Sequence, residues 1–243
     1  MKPQTVEKIL AQTKNNYNEI ASDFNRTRNY LWPNLPDLKK YVKSGDKVLD
    51  LGCGNGKLRL LFKDVKIDYI GVDNSDDQIN FAQNRNDFKI ESQQFLKAEV
   101  FNLPFADNSF EVVFFIAVLH HLPSKQLRLQ ALQEIKRVLK PGGVLVMANW
   151  NRYQKKFLPL IFHYTFLKII GKSELDFKDI YLPWMKGKVY RYYHAFTLGE
   201  LKKLVKQSGL KLDSNYLAYW RGQKARRFRY LKAANLVTIA KKC

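Results

Sequence analysis

Asp50 and Asp73 stand 23 residues apart, each at or near the end of an apolar run, and Gly52, Gly54 and Gly56 follow the first of them. Val48-Leu49-Asp50-Leu51-Gly52-Cys53-Gly54-Asn55-Gly56-Lys57 reads as a strand entering a glycine turn and then a helix; Tyr69-Ile70-Gly71-Val72-Asp73 reads as the next parallel strand. Glycines in such a turn let the backbone approach a ligand with no Cβ in the way. Amides opening the helix behind the turn point at an anion. The chemistry that this arrangement supports is nucleoside binding at the carboxyl edge of a parallel sheet.

Spacing narrows the ligand. A dinucleotide loop is G-x-G-x-x-G and faces a pyrophosphate, whereas this loop is G-x-G-x-G with a carboxylate two residues before its first glycine. A carboxylate at Asp50 repels a pyrophosphate and suits a cation. S-adenosylmethionine has no phosphate and carries an ammonium, a sulfonium and one carboxylate, so Asp50 can meet the ammonium side and the loop amides the carboxylate. Asp73, at the strand tip, is placed to accept from the ribose hydroxyls. The cofactor set predicted on this basis is Asp50, Gly52, Cys53, Gly54, Asn55, Gly56, Asp73 and its neighbour Asn74. No metal-ligand set is predicted.

These residues need a sheet to hold them. Strands are expected at 47–51, 68–73, 94–100, 110–119 and 144–150, with helices near 56–63, 76–85 and 125–139 between them. The run Phe110-Glu-Val-Val-Phe-Phe-Ile-Ala-Val-Leu119 is almost continuously apolar, as in a central strand buried on both faces. Ser124 suits a helix N-cap, and Lys140-Pro141-Gly142-Gly143 ends that helix. Helical periodicity over 4–31 is broken by Pro33 and Pro36, with a short helix at 37–43. Thr197 caps a helix at 198–207 that Gly209 terminates, and strands near 211–219 and 233–241 close the sheet. One domain is expected, divided into an N-terminal helical element (1–44), a cofactor-binding core (45–150), an inserted basic and aromatic lid (151–195) and a closing segment (196–243).

Lys and Arg number 42 against 22 Asp and Glu, a net charge of +20 that favours a polyanionic partner. Cys53 and Cys243 are the only cysteines and no C-x-x-C occurs, which argues against a disulfide or a structural zinc and for a reducing compartment. The N-terminus is polar through Ala21, and the apolar stretch 157–170 is too short to span a bilayer and contains Pro159, His163 and Lys168. A soluble, cytoplasmic protein with no membrane partner is expected.

From Lys47 to Trp150 the chain resembles the class I methyltransferases, through DLGCGNG, Asp73, Leu103-Pro104 and Leu139-Lys-Pro-Gly-Gly143. That resemblance implies an α/β, Rossmann-like fold: a seven-stranded, mostly parallel sheet flanked by helices, its last strand antiparallel. It also implies a cofactor contact at Ala98-Glu99, where Glu99 can accept from the adenine amine or be a solvated strand-end acid, and at Ala117. A narrower resemblance is to the eukaryotic tRNA wobble-uridine carboxymethyl methyltransferases. It rests on Tyr17-Asn-Glu-Ile-Ala-Ser-Asp-Phe24, Thr27-Arg28, Trp32-Pro33, Ile116-Ala-Val-Leu-His-His121, Trp150, Leu182-Pro183-Trp184 and Arg191-Tyr-Tyr-His-Ala-Phe196, whereas 151–181 and the tail after Ser208 depart from the pattern.

What this narrower resemblance implies is esterification of a carboxymethyl group on tRNA, sometimes with a small zinc-binding activator protein as partner. A carboxylate acceptor is already ionised, so no strong base is required, only in-line placement and exclusion of water. His120, His121 or Arg28 can hold that carboxylate, with one histidine of the pair facing the site. Tyr17 and Trp32 join the acceptor side through the resemblance. Trp150 can stack on a base or serve as a core aromatic. Arg191, Tyr192, Tyr193 and His194 suit a splayed nucleotide or the packed start of a returning strand. Arg226, Arg227 and Arg229 belong to an acid-free basic run that suits phosphates or simply solvates a surface. Two alternatives remain: a methyltransferase for a quinone or lipid precursor, with 157–170 lining its pocket, and a non-catalytic binding module.

Overall fold

The expected first strand forms as β1 (Lys47–Leu51) and pairs in parallel with β2 (Asp68–Asp73), setting Leu51 opposite Val72. A computed structural model describes residues 1–27, 31, 36–155, 157–219 and 235–243. Between β1 and β2 the chain makes a 3-10 turn, Lys57–Phe62, where an α-helix was expected. The tighter winding stacks residues three apart, which puts Leu58 and Leu61 together against the sheet. Helix α1 (Pro3–Glu19) and helix α2 (Ala21–Thr27) precede this core, and α3 (Asp76–Gln83) follows β2 with Ser75 Oγ accepting from the Gln78 amide.

The edge strand β3 (Ser92–Lys97) starts two residues before its expected position, because pairing with β2 begins at Asp68↔Ser92. In β4 (Phe110–Ile116), Phe114 packs on one face of the sheet and Phe115 on the other, as the unbroken apolar run predicts. Helix α4 (Lys125–Val138) is capped by Ser124 and buries Ala131, Leu132, Ile135 and Val138. Strand β5 (Leu139–Trp150) begins five residues early: Leu139 pairs with Phe110, the Pro-Gly-Gly segment bulges, and the register resumes at Val112↔Val144.

After β5 come α5 (Leu158–Ile169), the strands β6 (Asp179–Trp184) and β7 (Val189–His194), and α6 (Leu198–Gln207), capped by Thr197. Strands β8 (Lys211–Ala218) and β9 (Asn235–Lys241) complete a seven-stranded sheet of order β3-β2-β1-β4-β5-β9-β8. β9 runs antiparallel to both neighbours. One face is covered by α4 and α6, the other by α3 and the 3-10 turns.

β6 and β7 form a separate antiparallel hairpin, which the sequence reading did not separate from the rest of the insertion. A hairpin of this size is marginal alone and must be held by its neighbours. Helix α1 lies along it: Tyr192 packs with Ile9 and Leu175, and Asn16 Nδ2 donates to the Tyr190 carbonyl at 2.7 Å. On the other face Phe157 and Ile161 pack against Ile180 and Tyr193, while Phe162, Phe166 and Ile169 of α5 stay exposed. No helix among the described residues is long and apolar enough to cross a membrane.

Candidate active site

A cavity of about 210 Å³ opens at the carboxyl ends of β1, β2, β4 and β5, beneath α1, α2 and the hairpin. Its donor side is built by the glycine turn. Gly52 has φ +76, and a Cβ there would lie 2.2 Å from Val118 Cγ2, so this position admits only glycine. Gly52→Ala is expected to destabilise the fold by roughly 1–3 kcal/mol and to weaken cofactor binding, read by thermal unfolding and calorimetry. Opposite the turn, Ala117 carries φ +62, an uncommon conformation for a residue with a Cβ, and lines the same cavity.

Asp50 is buried on this side and accepts a 2.6 Å hydrogen bond from the Tyr69 hydroxyl. Burial pushes its carboxyl up to about 7 against that hydrogen bond, with nearby Asp73 adding to the rise. Burial also raises the carboxyl of Asp73, whose two oxygens accept from the Gly54 amide at 2.9 Å and the Ser75 amide at 3.0 Å. Beside these acids, polar atoms of the cavity are buried with bonds unmade: both amide atoms of Gln78, and Oδ1 of Asn55. Two acids short of a cation and orphaned amides beside them fit a ligand with an ammonium and several hydrogen-bonding groups.

The acceptor side is aromatic and basic. His121 Nδ1 lies 3.0 Å from the Tyr192 carbonyl, which can only accept, so Nδ1 carries the proton and Nε2 accepts from the Tyr17 hydroxyl at 2.8 Å. Burial, with the Arg191 charge adding to it, pushes His121 down to about 3. His120 is buried and held well below its ordinary value, first by burial and then by the neighbouring His121 and Arg191. Its ring stacks on Tyr193 at 5.0 Å and lies beside Trp150 at 5.4 Å. Both histidines are therefore neutral, and His121 is fixed in one tautomer.

Arg191 is 5% exposed and reaches into the cavity from β7. Its guanidinium carbon sits 4.1 Å from the Trp184 ring centre and 5.3 Å from that of Tyr193. Among the described residues no carboxylate lies within ion-pair distance of it, and Nε has no hydrogen-bond partner. The residues outside the description, 28–30, 32–35, 156 and 220–234, include no Asp or Glu. A buried guanidinium left without an anion by its own chain is a receptor for one from outside.

The structure thus brings Asp50, Gly52, Cys53, Gly54, Asn55, Asp73, Asn74, Ala98, Glu99 and Ala117 to the cavity together with Tyr17, His120, His121, Trp150, Arg191 and Tyr193. Gly56 stands behind it, closed in by Phe95 and Ala82. Tyr192 and His194 lie outside the cavity, because alternation along β7 turns them away from Arg191 and Tyr193. The Ala98 amide donates to the Asp73 carbonyl at 3.1 Å, so an amide offered to a base must come from a later residue. Trp150 combines the two roles weighed for it: it lines the cavity while stacking on Tyr193 at 4.6 Å and Phe157 at 5.5 Å. Arg28, Trp32, Arg226, Arg227 and Arg229 lie outside the described residues.

Sequence reasoning missed the closure of the site. Ser75 Oγ donates to Asn18 Oδ1 at 2.6 Å, Asn55 Nδ2 to Asn25 Oδ1 at 2.8 Å, and Trp184 Nε1 to Asp23 Oδ2 at 3.2 Å. The two N-terminal helices therefore bind the cofactor loop with one set of side chains and the hairpin with another. Gln78 was missed as well; in sequence it is one polar residue of the helix expected at 76–85.

Fold and cavity together define a class I, S-adenosylmethionine-dependent methyltransferase. The chain belongs to the methyltransferase domain family, whose model matches residues 42–197. It is 30% identical over 215 residues to the tRNA (carboxymethyluridine(34)-5-O)-methyltransferase of Schizosaccharomyces pombe, covering 79% of this chain and 86% of that one. A Mus musculus protein of the same descriptive name is 36% identical over 139 residues, 57% of this chain, and the chain spans only 20% of its length. An S-adenosylmethionine-dependent methyltransferase of Methanosarcina mazei superposes with a TM-score of 0.68 at 24% identity, over 85% of this chain and 97% of that one. A chain solved in complex with the Haloferax volcanii Trm112 methyltransferase activator does so with a TM-score of 0.67 at 20% identity, over 95% and 97%.

Proposed function

We propose that this enzyme methylates the carboxylate of a carboxymethyl group on the wobble uridine of tRNA, and that the observation carrying this reading is Arg191. Its unpaired, aromatic-sandwiched guanidinium shares one cavity with the donor loop, where a carboxylate would complete it. The descriptive names of the sequence relatives support the same acceptor. The net charge of +20 supports an RNA partner, and a cytoplasmic location goes with it.

S-adenosylmethionine supplies a sulfonium methyl that a carboxylate oxygen takes in line, leaving a thioether and a neutral ester, with no proton to move. This chain's residues are arranged for that requirement. His121 has its Nδ1 proton and its Nε2 lone pair both engaged and is held near 3, so it orients Tyr17 and Tyr192 and abstracts nothing. Asp50 and Asp73, with Gln78 and Asn55, would hold the ammonium, ribose and remaining polar groups of the donor. The aromatic wall of His120, Trp150 and Tyr193 excludes water from the acceptor side.

The small-molecule alternative placed residues 157–170 along the substrate pocket, and none of them lines the cavity. The reading extends to a small activator subunit, favoured by the relative solved with one; turnover is expected to rise when such a subunit is added. The test of the reaction is incubation with labelled donor and bulk tRNA, followed by nucleoside mass analysis. Label on a wobble uridine that is lost in mild alkali is expected. Label that survives saponification, or none in tRNA, would overturn the ester.

A further inference from the structure

We propose that His194 is a positioning residue for the acceptor: its buried imidazole braces strand β7 to α6 and to the first residue of β6. Its kinetic consequences rest on the acceptor reading above; its contacts do not. His194 is buried, with Nδ1 2.6 Å from Asp179 Oδ1 and Nε2 2.7 Å from Glu200 Oε1. Each ring nitrogen thus meets a carboxylate from a different element, which fixes the ring on both sides.

The surroundings support that assignment. Although burial opposes it, contact with His194 and Lys178 holds Glu200 down to about 2, so it is ionised. Lys178 Nζ donates to the other Glu200 oxygen at 3.0 Å, and Asp179 Oδ2 accepts from the Asp176 amide at 3.0 Å. The Tyr192 hydroxyl lies near both Asp179 and Arg128 of α4. The Phe196 ring meets the imidazole edge-on at 4.7 Å. One imidazole thus bridges two carboxylates, with Lys178 on the second of them.

Position gives the brace its purpose. Asp179 and His194 are register partners at the open end of the hairpin, and Glu200 sits in the first turn of α6. The same strand is tied one residue pair earlier by His121 Nδ1 donating to the Tyr192 carbonyl. The cavity-facing side chains of β7, Arg191 and Tyr193, alternate with these two ties. A hairpin has little stability of its own, and displacement of a substrate-holding group by about 1 Å costs on the order of a hundredfold in rate. His194 itself is outside the cavity, so it acts through Arg191 and Tyr193.

Exchange of the β7 backbone amides with solvent is expected to quicken in His194→Ala while that of the central sheet strands stays unchanged. His194→Ala is expected to raise the acceptor KM about tenfold while leaving cofactor Kd within about twofold, and His194→Gln, which keeps one donor contact, to fall between. Unchanged β7 amide exchange would overturn the brace, as would an unchanged acceptor KM in a folded His194→Ala. An equal loss of cofactor affinity would reassign His194 to general stability and overturn it as well. If wild type methylates no carboxylate acceptor, the acceptor reading fails, and the amide exchange alone decides the brace.

Discussion

Replacing Arg191 by methionine is expected to lower kcat/KM for the acceptor by about 100- to 1,000-fold while the folded protein becomes no less stable, and by a few degrees in Tm more so. The two signs have one origin. In the free enzyme the guanidinium is 5% exposed, has no carboxylate, and keeps only the faces of Trp184 and Tyr193. Its desolvation is a cost that cation–π contact, worth about 1–2 kcal/mol, offsets only in part. Methionine fills a similar volume without that cost. With a bound carboxylate the balance reverses, since removing one partner of a buried charge pair costs roughly 2–5 kcal/mol. Steady-state kinetics and thermal unfolding of the same variant test both signs. A variant that loses activity and stability together would make Arg191 a structural residue; one that keeps activity would remove it from the acceptor site. Lysine should rescue poorly, because a point charge cannot lie flat between two rings.

Asp50 sets the second large effect, on pH. Its carboxyl sits at about 7 in the folded chain against an ordinary 3.8, with burial the main cause. A raised acid pKa stabilises the fold fully below about pH 4 and progressively less as pH rises to 7, on the order of 4 kcal/mol at the limit. Asp50→Asn removes that slope, so variant and wild type should diverge in stability across this window, with the variant the steadier. Binding of an ammonium-bearing ligand works the other way, because the cation favours the ionised acid. Affinity for S-adenosylhomocysteine should rise about tenfold from pH 6 to 8, with proton release visible as buffer-dependent heat. Asn at position 50 should bind about 10- to 100-fold more weakly at pH 8 and lose Asp50's part of the pH slope. If wild type and Asp50→Asn show the same slope, Asp50 does not face the ammonium.

Much of the parallel half of the fold was legible because β1, β2 and β4 are short, mainly apolar runs closed by turn chemistry, and the glycine loop falls between the first two. The long strand Phe110–Ile116 announced its burial through residues such as Phe114 and Phe115, apolar on both faces. Strand ends were less legible. β5 starts at Leu139 only because Phe110 pairs with it across a bulge, which the Pro-Gly-Gly segment hides from a reading by propensity. The hairpin escaped notice because Arg191-Tyr192-Tyr193-His194 is buried on both sides and shows no polar alternation. The acceptor half of the site was hardest, since its contacts join distant segments: Tyr17 to His121, Asp23 to Trp184, His194 to Glu200. Nothing local in His120-His121 tells which ring is pinned by a carbonyl and a phenol and which stacks among aromatics.

The N-terminal helices carry one more consequence. Asn18 and Asn25 grip the donor loop, and Tyr17, Asp23 and Asn16 hold the acceptor wall and its hairpin. Exchange of spent donor past this element is therefore expected to loosen the acceptor side as well, so that both ligands leave through one motion and each acceptor receives one methyl per visit.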